Sequence, residues 1–442
     1  MKNLLLIVLM LCFSCQGGSH EQQYASAFFQ SRGMEVSHWE VVENREGFQV
    51  LTSYEEKKFI LLADSAYRKP LQGNLVLAYG SDAVWSTDTA VTKIMGYYEK
   101  MLQQLDAPKE RKERKYEPLL KTRWGQHAPY NELCPELAPG QHAMAGCVPV
   151  ALGQLVAFHH PEKGSSPARL IAEIGACVKA HYGLKNTVAS THQMKPALVG
   201  SYGMAQACRL RVGLTNSQLL ELAERNLKEG HPLLLSNRDH AFLCDGMEGD
   251  FLHLNLGLGG ICDGYYRILY SKKWEDSFAT SVLTDIYPSE GNLRLTIRVN
   301  QPGSLADKLG EDSRKVTHLT LSGILNGKDV AFLRRLAGAV ERDSTEPTGQ
   351  LSALQLSGVR YVNGDVFAEE DAQAAKFVVR RGKETFDFSD LSSSRWNYFR
   401  SKGYDKTADY RIIRKDGKYV VQFLLSPFPK SQYLFMGCDN LK

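Results

Sequence analysis

One cysteine, set at the head of a long apolar run, constrains this chain more than any other feature. Residues 140–147 read Gly-Gln-His-Ala-Met-Ala-Gly-Cys, and the run from Val148 to Phe158 is broken only by Gly153 and Gln154. The small residues Ala143, Ala145 and Gly146 suit a tight turn that delivers Cys147 to the first turn of a buried helix. Pro149 fits that first turn, where its missing N–H has no helical partner to lose. A thiol there faces the positive end of the helix dipole, which favours thiolate. The same residues also describe a buried free cysteine at a helix start.

The second element is Asp239-His240-Ala241-Phe242, between the apolar runs Pro232 to Leu235 and Phe242 to Cys244. Phe251-Leu252-His253-Leu254-Asn255 then reads as a strand ending in Gly257-Leu258-Gly259-Gly260. A strand-borne histidine can take the proton of a thiol, with an asparagine from a following strand holding its tautomer. Gln141 can donate a side-chain N–H to a developing oxyanion, beside the backbone N–H of Cys147.

The blocks GQHAMAGC, DHAFLCDG and HLNLGLGGICDGYYR together resemble the streptopain family of bacterial papain-like cysteine peptidases. The resemblance covers about residues 20–288. It implies Cys147 as nucleophile, His240 as general base and acid, Gln141 in the oxyanion hole and Asn255 near the imidazole. It also implies protein or peptide substrates, with the chain's own prodomain as intramolecular inhibitor.

Three departures stand out. Leu256 and Leu258 occupy positions where the family usually carries tryptophan, Asp239 replaces a glycine before the histidine, and the segment from Cys147 to His240 is short. Leucine shields an imidazole from water but cannot stack on it or donate to it. Rival readings are therefore a catalytically silent surface-binding protein that reuses the fold, or a prodomain-type peptidase inhibitor.

At 442 residues two to three domains are expected. A net charge of +4 is too mild to argue for nucleic acid, and no nucleic-acid motif occurs. Outside the leader, where Cys12 and Cys15 stand three apart, the cysteines show no CxxC pair and no zinc spacing, so neither a metal nor a cofactor is expected. One or two disulfides are compatible with export, with no pairing deducible. Lys2 followed by the apolar Leu4 to Phe13 and Ser14-Cys15 resembles a bacterial lipoprotein signal (residues 1–19), with Cys15 lipidated as the only membrane attachment. An ordinary secretory signal is the alternative. Either way the chain is exported, to the outer membrane or cell surface or released after processing.

The expected fold class is α+β: a two-lobed papain-like domain over 113–288, flanked by an α+β inhibitory prodomain over 20–112 and a repeat-like domain over 289–442. In the prodomain, Glu21 to Arg32 and Val91 to Leu105 read as helices. Phe48 to Leu51, Phe59 to Leu62 and Leu75 to Tyr79 read as strands. The charged run Asp106 to Lys115 reads as a joint, and as the place of an activating cut. In the catalytic domain Trp124-Gly125-Gln126 resembles the family's opening motif, and 168–182 and 216–229 are amphipathic helices. Further on, Leu293 to Ile297, Val316 to Gly323 and Leu351 to Gly358 are strands, with a helix over Asp329 to Leu336, and the chain ends in Phe435-Met-Gly-Cys438-Asp-Asn-Leu441. The L-x-x-L-x-L signature there resembles the start of a leucine-rich-repeat region. A compact α+β appendage is the alternative.

Overall fold

The computed structural model describes residues 19–71, 73–86, 89–103, 114–268, 279–339 and 348–361, and four short strands between 379 and 423. The signal segment with Cys15, the linker from Asp106 to Glu113 and the stretch from Phe435 to Leu441 lie outside the described residues. The chain forms two compact units, one of residues 1–203 and 210–286, the other of residues 204–209 and 287–442. Helices and antiparallel strands make up the first, in keeping with an α+β class.

In the first unit, helix α1 (His20–Gln30) opens with a reciprocal cap: Ser19 Oγ accepts the Gln22 N–H, and the Gln22 side chain accepts the Ser19 N–H. Strands β1 (Glu40–Arg45), β2 (Phe48–Ser53), β3 (Lys58–Ala63) and β4 (Val76–Gly80) form an antiparallel meander, followed by α2 (Thr89–Leu102). Then come β5 (Lys115–Tyr116), the hairpin β6 (Glu136–Ala138) and β7 (Gln141–His142), and the helices α3 (Cys147–His159), α4 (Pro167–Cys177) and α5 (Met194–Tyr202). After β8 (Arg209–Val212), helix α6 (Asn216–Lys228) is capped by Thr215 and Gln218 in the same reciprocal way. Strands β9 (Leu233–Ser236), β10 (Ala241–Glu248), β11 (Phe251–Asn255), β12 (Gly264–Arg267) and β13 (Ser281–Thr284) complete the unit.

Eleven of these strands form one sheet in the order β1-β2-β3-β4-β12-β11-β10-β9-β13-β8, with β5 on β10. The N-terminal meander thus continues the later strands through β4 and β12, where Tyr79 faces Tyr265 and Ala78 faces Tyr266. One hydrophobic core runs beneath, from Phe28 and Phe29 through Phe59 and Tyr98 to Phe242, Leu252, Tyr266 and Val282. The border expected at residues 112 and 113 falls inside this unit. Helix α3 lies against α4, α5 and β10, and its residues Val148 to Ala157 are all buried.

In the second unit, β14 (Leu293–Val299), β15 (Val316–Leu325) and β16 (Ala353–Tyr361) run parallel, separated in sequence by α7 (Leu305–Leu309) and α8 (Gly327–Leu336). Leu295, Leu319 and Leu354 share one row, and Ile297, Leu321 and Leu356 the next. Buried Asp329 ties successive turns together, its carboxylate accepting from the N–H groups of Gly303 and Leu305 as well as Asn326. Gly323 has φ +100°, and a Cβ there would meet the Val299 carbonyl oxygen at 2.1 Å, so only glycine fits the bulge.

Candidate active site

Cys147 starts α3 behind a turn that is pinned on several sides. Gly146 has φ +87°, and a Cβ there would approach Thr187 Cγ2 to 2.9 Å. The Thr187 hydroxyl donates to the Met144 carbonyl (2.6 Å) and accepts the Gly183 N–H (3.2 Å). Ala145 N–H donates to the Gln126 carbonyl at 2.9 Å, and Asn131 Nδ2 donates to the Ala143 carbonyl at 3.0 Å. Trp124 packs on the helix where Gly153 leaves room, since a Cβ there would lie 3.1 Å from the indole.

His240 sits between β9 and β10 and is 5% exposed. Asn237 shapes this loop, its side-chain oxygen accepting the N–H groups of Asp239 and His240, each at 2.9 Å. His240 Nε2 lies 2.7 Å from the Leu256 carbonyl. A carbonyl oxygen only accepts, so Nε2 carries the proton and Nδ1 is the nitrogen left for the thiol. The imidazole stands near enough to Cys147 to act on its thiol. Burial pushes the Cys147 thiol up, but the hydrogen bond and charge of His240, with backbone N–H groups of Ala241 and Val148, outweigh it, and its pKa falls below the ordinary thiol value.

Asn255 does not hold the ring. Its side-chain oxygen accepts from Gln154 Nε2 (3.0 Å) and the Gly257 N–H (3.1 Å), and its amide donates to the Thr122 carbonyl (2.8 Å). Gln154 in turn accepts the Trp124 N–H at 3.0 Å. Asn255 therefore ties the end of β11 to α3 and to the 122–124 strand of chain, while the next residue's backbone carbonyl orients the histidine. The reason is geometric: the pleat turns the side chain of the last strand residue toward the helix and leaves the Leu256 carbonyl aimed at His240. Asp263, buried beneath, accepts the Leu256 N–H at 2.8 Å and so fixes the peptide just before that carbonyl, while the Asn255 side-chain oxygen, on the Gly257 N–H, fixes the carbonyl's own peptide. Burial raises the Asp263 carboxyl to about 6.

Gln141 lies on the exposed hairpin, where it pairs with Ala138. Gln126 is buried instead, and its peptide is bonded to the turn that precedes Cys147. It was legible only as part of the Trp124-Gly125-Gln126 motif, without a role. Leu256 is fully buried, Leu258 packs on the core, and Phe242 is an aromatic neighbour of His240, with ring centroids 6.1 Å apart. Asp239 points away to α2: Tyr97 Oη donates to it at 3.2 Å and Lys93 Nζ lies at 3.6 Å.

Other histidines serve elsewhere. His142 Nδ1 donates to the Cys134 carbonyl at 2.8 Å, and burial together with the neighbouring His231 lowers His159 to about 4. Among the described residues no group of three His, Cys, Asp or Glu could hold a metal, and Cys134, Cys147, Cys177, Cys208, Cys244 and Cys262 are not joined in disulfides. No described helix is long and apolar enough to cross a membrane.

A lowered-pKa thiol at a helix N-terminus, beside an imidazole of fixed tautomer, is the equipment of a cysteine hydrolase. Comparison with known proteins points the same way. Residues 124–167 and 162–266 match the model of the Peptidase C10 family. Streptopain of Streptococcus pyogenes serotype M1 is 24% identical over 210 residues, covering 33% of this chain and 53% of its own. The thiol protease/hemagglutinin PrtT of Porphyromonas gingivalis is 26% identical over 196 residues, covering 33% of this chain and 23% of its own. The chain spans about half the length of the streptopains it matches. The matched stretch holds both Cys147 and His240.

Proposed function

We propose that this chain is an exported cysteine endopeptidase acting on protein or peptide substrates through Cys147 and His240. The reading rests on His240 beside a Cys147 thiol at a helix start, with the ring's Nε2–H held on the Leu256 carbonyl. The Cys147 thiolate attacks the scissile carbonyl carbon, forming the C–S bond of a tetrahedral intermediate. Its oxyanion is met by the Cys147 backbone N–H and a glutamine amide. Gln126, buried beside the turn, is better placed for this than Gln141 on the exposed hairpin. The protonated imidazole gives its Nδ1 proton to the leaving amine as the C–N bond breaks. Water then attacks the thioester, His240 takes its proton, and the thiolate leaves with the acid product.

In this reading helices α3 to α5 and the sheet that carries His240 are the two lobes of a papain-like domain, and the parallel β14–β16 segment is a short leucine-rich-repeat-like module. The leader directs export, with Cys15 as lipid attachment; acyl labelling of the expressed protein, lost in Cys15→Ser, tests that part. The replacement of both tryptophans by Leu256 and Leu258 is what favours the silent-binder rival. Iodoacetamide labelling together with casein hydrolysis separates the two. The peptidase reading expects both in the wild type and neither in Cys147→Ala; a labelled chain that cleaves no protein would favour the rival.

A further inference from the structure

In the second unit the helices cover one face of the parallel sheet. Along β14 the residues alternate: Leu293, Leu295, Ile297 and Val299 turn inward, while Arg294, Thr296 and Arg298 are exposed. Leu319, Leu321 and Leu325 of β15 share a buried cluster with Leu305 of α7 and Val330 of α8. The residues between them form the open face. The register sets Arg294 beside His318, Thr296 beside Thr320, and Arg298 beside Ser322. Exposed Arg360 of β16 stands on the same face, beside Ile324.

This face carries charge of one sign. Among the described residues no carboxylate pairs with Arg294, Arg298 or Arg360, whereas Lys315, just before β15, is held by Glu290 at 3.0 Å. The acids Asp307, Glu311, Asp312 and Asp329 belong to the helical segments behind the sheet. A free guanidinium offers a planar fork that takes a carboxylate in two-pronged fashion.

The spacing says what kind of anion fits. Alternate residues of a strand stand about 6.8 Å apart on one side, so Arg294 and Arg298 are separated by about 13 Å with the Thr296 hydroxyl between. An extended peptide laid along β14 presents its own alternate side chains at the same interval. Carboxylates four residues apart then reach both guanidiniums, and the hydroxyls of Thr296, Thr320 and Ser322 meet what lies between. Polysaccharides and bilayers carry charges that follow no strand interval. Bases need aromatic rings to stack on, and the described side chains of this face include no Phe, Tyr or Trp.

We propose that the open face of β14–β16 binds extended, acidic stretches of protein, with Arg294, Arg298 and Arg360 holding the carboxylates. This goes beyond the peptidase reading and does not rest on it.

Binding is read in the full chain carrying Cys147→Ala, so that no cleavage intervenes, with a fluorescent peptide of alternating Glu and Ser about twelve residues long. A saturable rise in anisotropy is expected at about 50 mM salt, weakening at about 0.3 M as exposed charges are screened. Arg294→Gln with Arg298→Gln and Arg360→Gln is expected to weaken binding at least about tenfold at an unchanged melting temperature. Lys308→Gln with Lys328→Gln and Arg335→Gln removes the same charge from exposed helical positions and is expected to stay within about twofold. Thr320→Glu, one carboxylate in the middle of the face, is expected to weaken binding by itself, which keeps the test open should the triple variant fail to fold. A peptide of alternating Lys and Ser is expected not to bind. Absence of saturable binding of the Glu peptide, equal losses in the two triple variants, or wild-type affinity in Thr320→Glu would overturn the proposal. Heparin or phosphatidylserine vesicles that bind more tightly than the peptide, with the same dependence on the three arginines, would make the partner a polysaccharide or a membrane and overturn the assignment to protein. A chain inert toward casein that still binds the peptide defeats the peptidase reading and leaves this proposal standing.

Discussion

Cys147 is positioned by residues between 126 and 187, whereas His240 is positioned by residues drawn from 93, 97, 237, 256 and 263. The first environment is a turn clamped by short-range hydrogen bonds and one obligatory glycine. The second is assembled across a sheet, by a carbonyl, a buried carboxylate and an ion pair from a distant helix. A nucleophile at a helix start needs little more than local backbone geometry and the dipole. A base needs a fixed tautomer and a tuned proton affinity, and only neighbours gathered from several strands supply both.

The largest expected effect is the loss of turnover in Cys147→Ala, at least about 10⁴-fold in kcat/KM against casein. Residual hydrolysis near the wild-type rate would put the nucleophile elsewhere. Gln126→Ala should cost about 10²-fold in kcat if that amide donates to the oxyanion, while Gln141→Ala stays within about twofold. The opposite ranking would return the role to the hairpin and break the contrast between buried and exposed glutamines.

The two sides also differ in their response to pH. The lowered thiol pKa gives alkylation an acid limb below the ordinary thiol value, and thiolate accumulates as pH rises through it. In His240→Ala, burial acts without its counterweight, so the limb moves to higher pH; a stationary limb would show the imidazole is not the cause. Asp263 tests the base side through stability. Its folded pKa of about 6 lies above the unfolded carboxyl value, so its contribution is fully present below about pH 4 and is lost as pH rises through 6. The loss is up to ~3 kcal/mol. Asp263→Asn keeps an acceptor for the Leu256 N–H and should flatten the stability curve over that window in urea titrations. A curve of unchanged slope would mean the carboxyl is not desolvated as described.

Gly146→Ala gives the smallest expected change on the nucleophile side, about 1–3 kcal/mol of stability, from a side chain held at φ +87° against Thr187. Thr187→Ala in the same chain should return part of it by removing the clash, and a pair of strictly additive effects would count against the contact.

Much of the local structure was legible. Helices expected over Glu21 to Arg32, Val91 to Leu105 and 216–229 occur at His20–Gln30, Thr89–Leu102 and Asn216–Lys228, because apolar spacing and capping residues act within a few positions. The helix expected over 168–182 stops at Cys177, where the chain turns through Lys179 at φ +54°. Helix α5 and strand β1 were not foreseen, since their apolar residues follow no clean period. The continuity of β4 with β12 was also out of reach. Strand pairing between residues so far apart leaves no trace in either segment.

By itself the sequence determined the helix that Cys147 opens, the histidine block, and the strand signature of the C-terminal segment, all of which depend on residues close along the chain. The tertiary structure decided which group orients His240 and which glutamine is buried beside Cys147, and it drew the N-terminal strands into the catalytic sheet. These depend on backbone carbonyls, burial and strand order, which no local pattern of side chains encodes.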